Sequence, residues 1–253
     1  MRRWLGGLLQ SSLLFASLSV SAAQEQQRWQ LVADIIPPYQ NDLAADQGVL
    51  SQLVLAALTQ QQIQAEVVLE SWPNVKKHAA EPHHASFFWL RDLELEKNWL
   101  FSEPLFTLTT YLVTRQDITQ QFSRLDELRP YRLAVTEWAS YGDKFDRLKP
   151  ELKLRLQVSD HQSMQALLKG EVDIALMDPV IAHLLLSQLD DRSRQKVRLQ
   201  PLSGLTAQDV YLVCSRNYLP CFEFMQKFNK GWQHLRDTGV LEQSLGPVVH
   251  IPE

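Results

Sequence analysis

The chain reads as an α/β protein. Three observations predict it: strand-like and helix-like segments alternate along most of the sequence, several strands are apolar runs suited to burial on both faces, and helix stop signals stand directly before strands. The stretch Gly170-Glu171-Val172-Asp173-Ile174-Ala175-Leu176-Met177-Asp178 shows all three. Ahead of it, Ser159 with Gln162 three residues later matches a capping box, and Met164, Leu167 and Leu168 follow at i, i+3, i+4 spacing. Gly170 suits the left-handed position that ends such a helix. Val172, Ile174, Ala175 and Leu176 then form a short buried strand. Asp178 stands beyond the carboxyl end of that strand, where open α/β sheets meet their ligands. With Pro179 next to it, Asp178 equally suits the N-cap of the following helix. Spacing alone leaves both readings open.

The elements follow in order. Residues 28–36 read as a strand, broken by Pro37-Pro38-Tyr39. Val49, Leu50, Leu53, Val54 and Ala57 give 48–58 a helical period, and 65–69 is a second strand. After Trp72-Pro73 a short helix runs to about 80, then a strand over 85–89 and a β-branched, aromatic strand over 107–114. A second alternation starts with the strand 132–136: helix near 141–148, strand near 152–158, the helix and strand described above, and a helix over 179–186. A strand over 210–215 precedes two closing helices, the first with Phe224, Phe228, Trp232 and Leu235 on one stripe. Helix-linked strands predict mainly parallel sheets.

The first 23 residues have the form of a secretory leader. Arg2 and Arg3 are the charged start, 5–20 the apolar stretch and Ser21-Ala22-Ala23 the small-residue cleavage site. Gln10, Ser11 and Ser12 interrupt the apolar stretch, which argues against a permanent membrane span. No cysteine follows the cleavage site, so no lipid anchor is indicated, and the periplasm is the expected location. Loss of both leader arginines leaves 23 basic side chains against 29 acidic ones. That balance argues against nucleic acid and anionic membrane as partners.

Cys214 and Cys221 lie seven positions apart. In an oxidising compartment such a pair is a candidate disulfide, and two separate buried thiols are the alternative. No nucleophile elbow, phosphate loop, dinucleotide fingerprint or HExxH motif is present, so no cofactor is expected. His78, His83 and His84 cluster without a thiolate or carboxylate at familiar metal-ligand spacing, and a solvated loop is the expected reading.

Taken together, Pro37-Pro38-Tyr39, Gly48, Trp72, Phe101-Ser102-Glu103-Pro104-Leu105, Leu125-Asp126-Glu127-Leu128, the 170–178 stretch and Leu235-Arg236-Asp237-Thr238-Gly239 resemble, in order and spacing, the family 3 extracellular solute-binding proteins of the amino-acid type. The resemblance covers about 28–248. It implies a type II periplasmic-binding-protein fold: two α/β lobes joined by two crossover strands, with a ligand between the lobes. Here that places the leader at 1–23, lobe 1 at 24–112 and 210–253, and lobe 2 at 113–209. The crossovers at 111–115 and 210–215 are expected side by side.

The resemblance also implies a binding site. Tyr39 matches an aromatic that packs on the ligand, Asp178 the carboxylate that receives a ligand ammonium, and Ser140 lies near a ligand-touching hydroxyl of lobe 2. Trp72 matches an aromatic after the second strand. The arginine that grips an α-carboxylate stands six residues before the Phe-Ser pair, and here that position is Leu95. Such a charged contact is worth roughly 1.5–3 kcal/mol, so its loss matters. Arg91, four residues earlier, is the candidate substitute; pairing with Glu94 or Glu96 is its alternative. Trp89 and Trp138, near strand ends, are candidates for the cleft wall, with burial in the core as the other reading.

The expected protein is therefore a monomeric periplasmic solute-binding protein that takes a small polar, amino-acid-like ligand for an ABC-type transporter permease. An acidic, aromatic cleft favours a cationic or ring-bearing ligand. The alternative is a sensing protein of the same fold without its own transporter. A dehydratase-like enzyme would need Glu137 and Asp178 as an acid–base pair with one raised pKa.

Overall fold

The computed structural model describes residues 28–137, 139–202, 205 and 207–246. The expected leader and Trp138 lie outside these residues. The chain starts with three parallel strands, β1 (Trp29–Ala33), β2 (Ala65–Leu69) and β3 (His84–Leu90), in the order β2-β1-β3. Helices α1 (Val49–Gln60) and α2 (Trp72–His78) connect them, as parallel pairing requires. Two short strands follow, β4 (Trp99–Phe101) and β5 (Phe106–Leu108).

The chain then enters a second sheet of β6 (Tyr111–Arg115), β7 (Arg132–Thr136), β8 (Lys153–Gln157), β9 (Ile174–Met177) and β10 (Val197–Pro201), ordered β10-β6-β9-β7-β8. Helices α3 (Asp143–Leu148), α4 (Asp160–Leu168), α5 (Pro179–Ser187) and α6 (Asp191–Arg194) lie between its strands. It returns through β11 (Gln208–Ser215), which runs antiparallel to β3, β4 and β5 in the first sheet, and ends in α7 (Pro220–Asp237) and α8 (Val240–Leu245). Both sheets are mixed. Strands joined by helices pair in parallel, and the strands that carry the chain out and back pair antiparallel.

The crossovers are hydrogen-bonded differently from the expectation. Tyr111–Arg115 does not pair with 210–215. In the first sheet Leu108 faces Gln208, and in the second Tyr111 faces Pro201. Each lobe pairs its own portions of the two passing segments. The apolar run 107–114, read as one strand, changes sheet at Thr109 and Thr110, where neither ladder continues.

Alternation sets the layers. Leu31 and Ala33 of β1 enter the largest apolar cluster with α1 and α7, while Val32 enters a smaller one on the other face with Val75 of α2. In β9, Ala175 and Met177 join the large cluster, and Ile174 and Leu176 face Phe145 of α3. The helix ahead of β9 ends as its sequence indicates. Gly170 has φ 72, its N–H donates to Leu167 O (3.0 Å), and Glu171 N–H donates to Ala166 O (2.9 Å).

A disulfide joins buried Cys214 at the end of β11 to buried Cys221 at the start of α7, with Cα atoms 5.7 Å apart. Among the described residues no helix is long and apolar enough to cross a membrane.

Candidate functional site

Tyr39 is positioned by backbone. Ile36 and Gln40 exchange N–H···O bonds of 2.9 and 3.0 Å, closing the loop over Pro37 and Pro38. The first turn of α1 has N–H groups that no helical carbonyl can satisfy. Two of them donate to this loop, Val49 to Pro38 O (3.2 Å) and Leu50 to Tyr39 O (2.9 Å). Gly48 makes that approach feasible: it has φ 95, and a Cβ there would stand 2.6 Å from Tyr39 O. The Tyr39 ring, 1% exposed, stacks on Phe106 at 5.1 Å and leans on Phe88 at 5.3 Å.

Phe88 reaches Tyr39 because β3 is bulged. On β11, Tyr211 faces Trp89 and the next residue, Leu212, faces Phe87, so Phe88 has no partner. Its φ is 70, a left-handed conformation that costs a bulky residue roughly 1–2 kcal/mol. The extra residue reverses the facing of the strand from that point on. Phe87 and Phe88 both pack against the large cluster, and Trp89 turns to the opposite face. Bulges of this kind re-aim side chains beside functional sites.

Asp178 meets Tyr39 from the second lobe. Its Oδ1 accepts from Val180 N–H (2.8 Å) and Ile181 N–H (3.3 Å), capping α5, and from the Tyr39 hydroxyl (3.0 Å). Its Oδ2 accepts no hydrogen bond from the described residues. The two readings of Asp178 are thus compatible, since the cap uses one oxygen and leaves the other. Burial pushes the Asp178 carboxyl up to about 6, against the hydrogen bonds that lower it, and the Asp160 charge adds to the rise. Asp160, which accepts from Thr136 Oγ1 at 2.8 Å, is likewise pushed up to about 6 by burial. Burial and the Asp178 charge raise the Tyr39 phenol, which remains a donor. No lysine or arginine among the described residues forms a hydrogen bond or ion pair with any of these three groups.

The remaining candidates are placed unevenly. Ser140 is exposed, and the Gln208 amide of β11, in the orientation that satisfies both its ends, donates to Ser140 O (3.1 Å) and accepts from Gly142 N–H (3.2 Å). Trp89 is not at the Tyr39 ring. It is buried between Trp72 and Trp99, each at 4.9 Å, with its Nε1 donating to Ser86 Oγ. Trp72 belongs to the same layer, with Lys76 Nζ 5.8 Å from its ring centroid. Arg91 donates from Nε to Glu96 and lies over Phe101 and Tyr211 at 5.6 and 5.8 Å, so the surface pairing holds it. Leu95 packs against the Trp89 layer. Glu137 is exposed. His78 bonds to Glu70, His83 to Tyr218 and His84 to Gln30.

Phe88, Phe106, Asp160 and Gln208 are the members that sequence reasoning missed. Asp160 alone had a signal, directly after the N-cap Ser159, which accepts from Gln162 N–H at 3.3 Å. Two surface cavities, of about 420 and 570 Å³, are lined by residues of the second lobe, including Arg124 and Arg147 in one and Arg115 and Lys196 in the other. Neither includes a residue of the Tyr39–Asp178 site.

No family model matches the chain, and no curated protein is similar to it in sequence. Solved structures are similar in fold. A histidine kinase sensor domain with similarity to periplasmic binding proteins aligns with TM-score 0.73 at 16% identity, covering 90% of this chain and all of that one. The arginine-, lysine-, histidine-binding protein ArtJ from Geobacillus stearothermophilus aligns with TM-score 0.68 at 13% identity, over 87% of this chain and 94% of that one. The ancestral amino-acid-binding protein AncCDT-1, a precursor of cyclohexadienyl dehydratase, aligns with TM-score 0.70 at 14% identity, over 85% and 92%. With two mixed sheets, paired crossovers and an aromatic–carboxylate contact between them, the chain has the two-lobed fold of the periplasmic solute-binding proteins.

Proposed function

We propose that this protein is a solute-binding protein that captures a small polar ligand, amino-acid-like in carrying an ammonium group, between its lobes. The observation that carries the reading is the meeting of Tyr39 and Asp178 across the two sheets, with one carboxylate oxygen that accepts no hydrogen bond among the described residues. A closed cleft excludes water and strengthens each polar contact with the ligand. The lobes would close about the paired crossovers, as hinged binding proteins do. Export to the periplasm and delivery to an ABC-type permease complete this reading. The likeness to ArtJ, named as an arginine-, lysine- and histidine-binding protein, supports a nitrogenous ligand.

A sensing role is the second reading. It is favoured by the alignment with a kinase sensor domain over that domain's whole length, and by Leu95 where amino-acid binders of the resembled family carry arginine. No catalytic pair is proposed. Glu137 is exposed and makes no side-chain hydrogen bond among the described residues, so it offers Asp178 no acid–base partner.

Calorimetric titration with amino acids, amines and dicarboxylates tests the function. Saturable binding with a fall in the radius of gyration in solution scattering is expected. If no compound in any class binds up to millimolar concentration, the solute-binding reading fails.

A further inference from the structure

We infer that the cleft selects an organic amine with no α-carboxylate, its ammonium held on Asp178 Oδ2 beside the Tyr39, Phe88 and Phe106 rings. The inference rests on the solute-binding reading and narrows it. Two features of the site call for a cation. Asp178 and Asp160 are both carboxylates of the second lobe, close enough for the charge of one to act on the other, and no lysine or arginine among the described residues forms a hydrogen bond or ion pair with either. Burying two like charges without a counter-charge is unfavourable, and a ligand ammonium at Oδ2, which accepts no hydrogen bond among the described residues, would supply one. The wall opposite is aromatic: Tyr39 lies within 5.3 Å of the Phe88 and Phe106 rings, which lie 5.8 Å from each other. The faces of such rings attract cations.

A third feature removes the carboxylate from the ligand. An amino acid would bring an α-carboxylate that needs a buried donor. Leu95 is apolar and packs with Trp89 on the far face of the first sheet from Tyr39. Arg91 gives its Nε to Glu96 and sits over Phe101 and Tyr211, half exposed. Without a basic partner, a buried carboxylate would be desolvated and face two acidic groups, which disfavours the amino acid relative to its decarboxylated counterpart.

The test uses pairs that differ only by the carboxylate: cadaverine against L-lysine, and butylamine against L-norvaline. The full mature chain is titrated by calorimetry at pH 7.5. Each amine is expected to bind at least as tightly as its amino acid, and Asp178→Asn to weaken the amine about 10- to 150-fold. Asn retains a cap oxygen, so a melting temperature at or above that of the wild type shows that the variant is folded. Amino acids binding more than tenfold tighter than their amines would overturn the inference and leave the solute-binding reading intact. Amine binding that Asp178→Asn does not weaken would also overturn it. Binding by neither class would overturn the inference and leave the solute-binding reading to the wider titration.

Discussion

The Tyr39 hydroxyl donates to Asp178 Oδ1 at 3.0 Å, joining two residues that are 139 positions apart in sequence and follow strands of different sheets. The same oxygen caps α5. A side chain of one lobe is thereby tied to the helix architecture of the other, so a substitution at either residue acts on both lobes.

Asp178→Asn and Asp178→Ala separate the cap from the charge. Both remove the carboxylate, but Asn keeps an acceptor for Val180 and Ile181. Asn is therefore expected to exceed Ala in stability by about 1 kcal/mol, or about 2–4 °C in melting temperature for a domain of this size. Thermal melts of the two variants in one buffer check this.

Tyr39→Phe keeps the ring between Phe88 and Phe106 and removes the hydrogen bond between lobes. A hydrogen bond to a charged acceptor contributes roughly 1.5–3 kcal/mol, so its loss should raise the open-to-closed ratio of the unliganded protein about 10- to 150-fold. Solution scattering should show a larger radius of gyration for the variant than for the wild type. Identical curves would show that this bond does not hold the lobes.

Acidification should act oppositely on folding and on binding. Asp160 and Asp178 titrate near 6 in the folded protein against about 3.8 in the unfolded chain. Between about pH 4 and 6 the folded state therefore binds more protons, and these two groups make stability rise as pH falls through that window, by up to about 3 kcal/mol each. Cation binding needs the ionised form, so affinity should fall below pH 6. Asp173, held low by its hydrogen bond to Arg132, loses its stabilising contribution only at more acidic pH. The stability gain of Asp178→Asn over wild type should be present at pH 7.5 and shrink to about a third near pH 4.5, as denaturant unfolding at the two values would show.

Arg91→Ala should leave ligand affinity unchanged, because its guanidinium is engaged by Glu96, Phe101 and Tyr211. A loss of tenfold or more in a titration would place Arg91 in the cleft after all.

Replacing Cys214 and Cys221 together by Ser should lower stability by about 2.5 kcal/mol, the chain-entropy value for so short a loop, or about 5–10 °C in melting temperature. An equal drop on adding reductant to the wild type would assign the effect to the bridge rather than to the new hydroxyls.

Local chemistry made much of the architecture legible in the sequence. The strands Ala65–Leu69 and Arg132–Thr136 and the helix over 179–186 follow from apolar runs and a Pro at the first helical position, and the end of α4 follows from Gly170. Asp178 was a candidate from its place beyond the end of a strand and Tyr39 from the family resemblance, and the fold brings the two into contact. The elements that escaped are short. Trp99–Phe101, Val197–Pro201 and Asp191–Arg194 have three to five residues, too few for a period to show.

The face each aromatic takes and the pairing of distant segments needed the folded chain. Trp89 stands at the end of a strand, as a cleft residue would, yet one unpaired residue, Phe88 at φ 70, turns it into the opposite layer and brings Phe88 to Tyr39. A bulge is set by the partner strand Gln208–Ser215, more than a hundred residues away, and leaves no periodic trace where it occurs. The crossover ladders and the Tyr39–Asp178 bond are likewise contacts between distant segments. Residue pattern was enough to order the longer strands and helices, and the family resemblance named candidate chemistry at their ends. Which of those ends meet depends on long-range pairing and packing, because hydrogen-bond partners across two sheets are chosen by geometry that no local window contains.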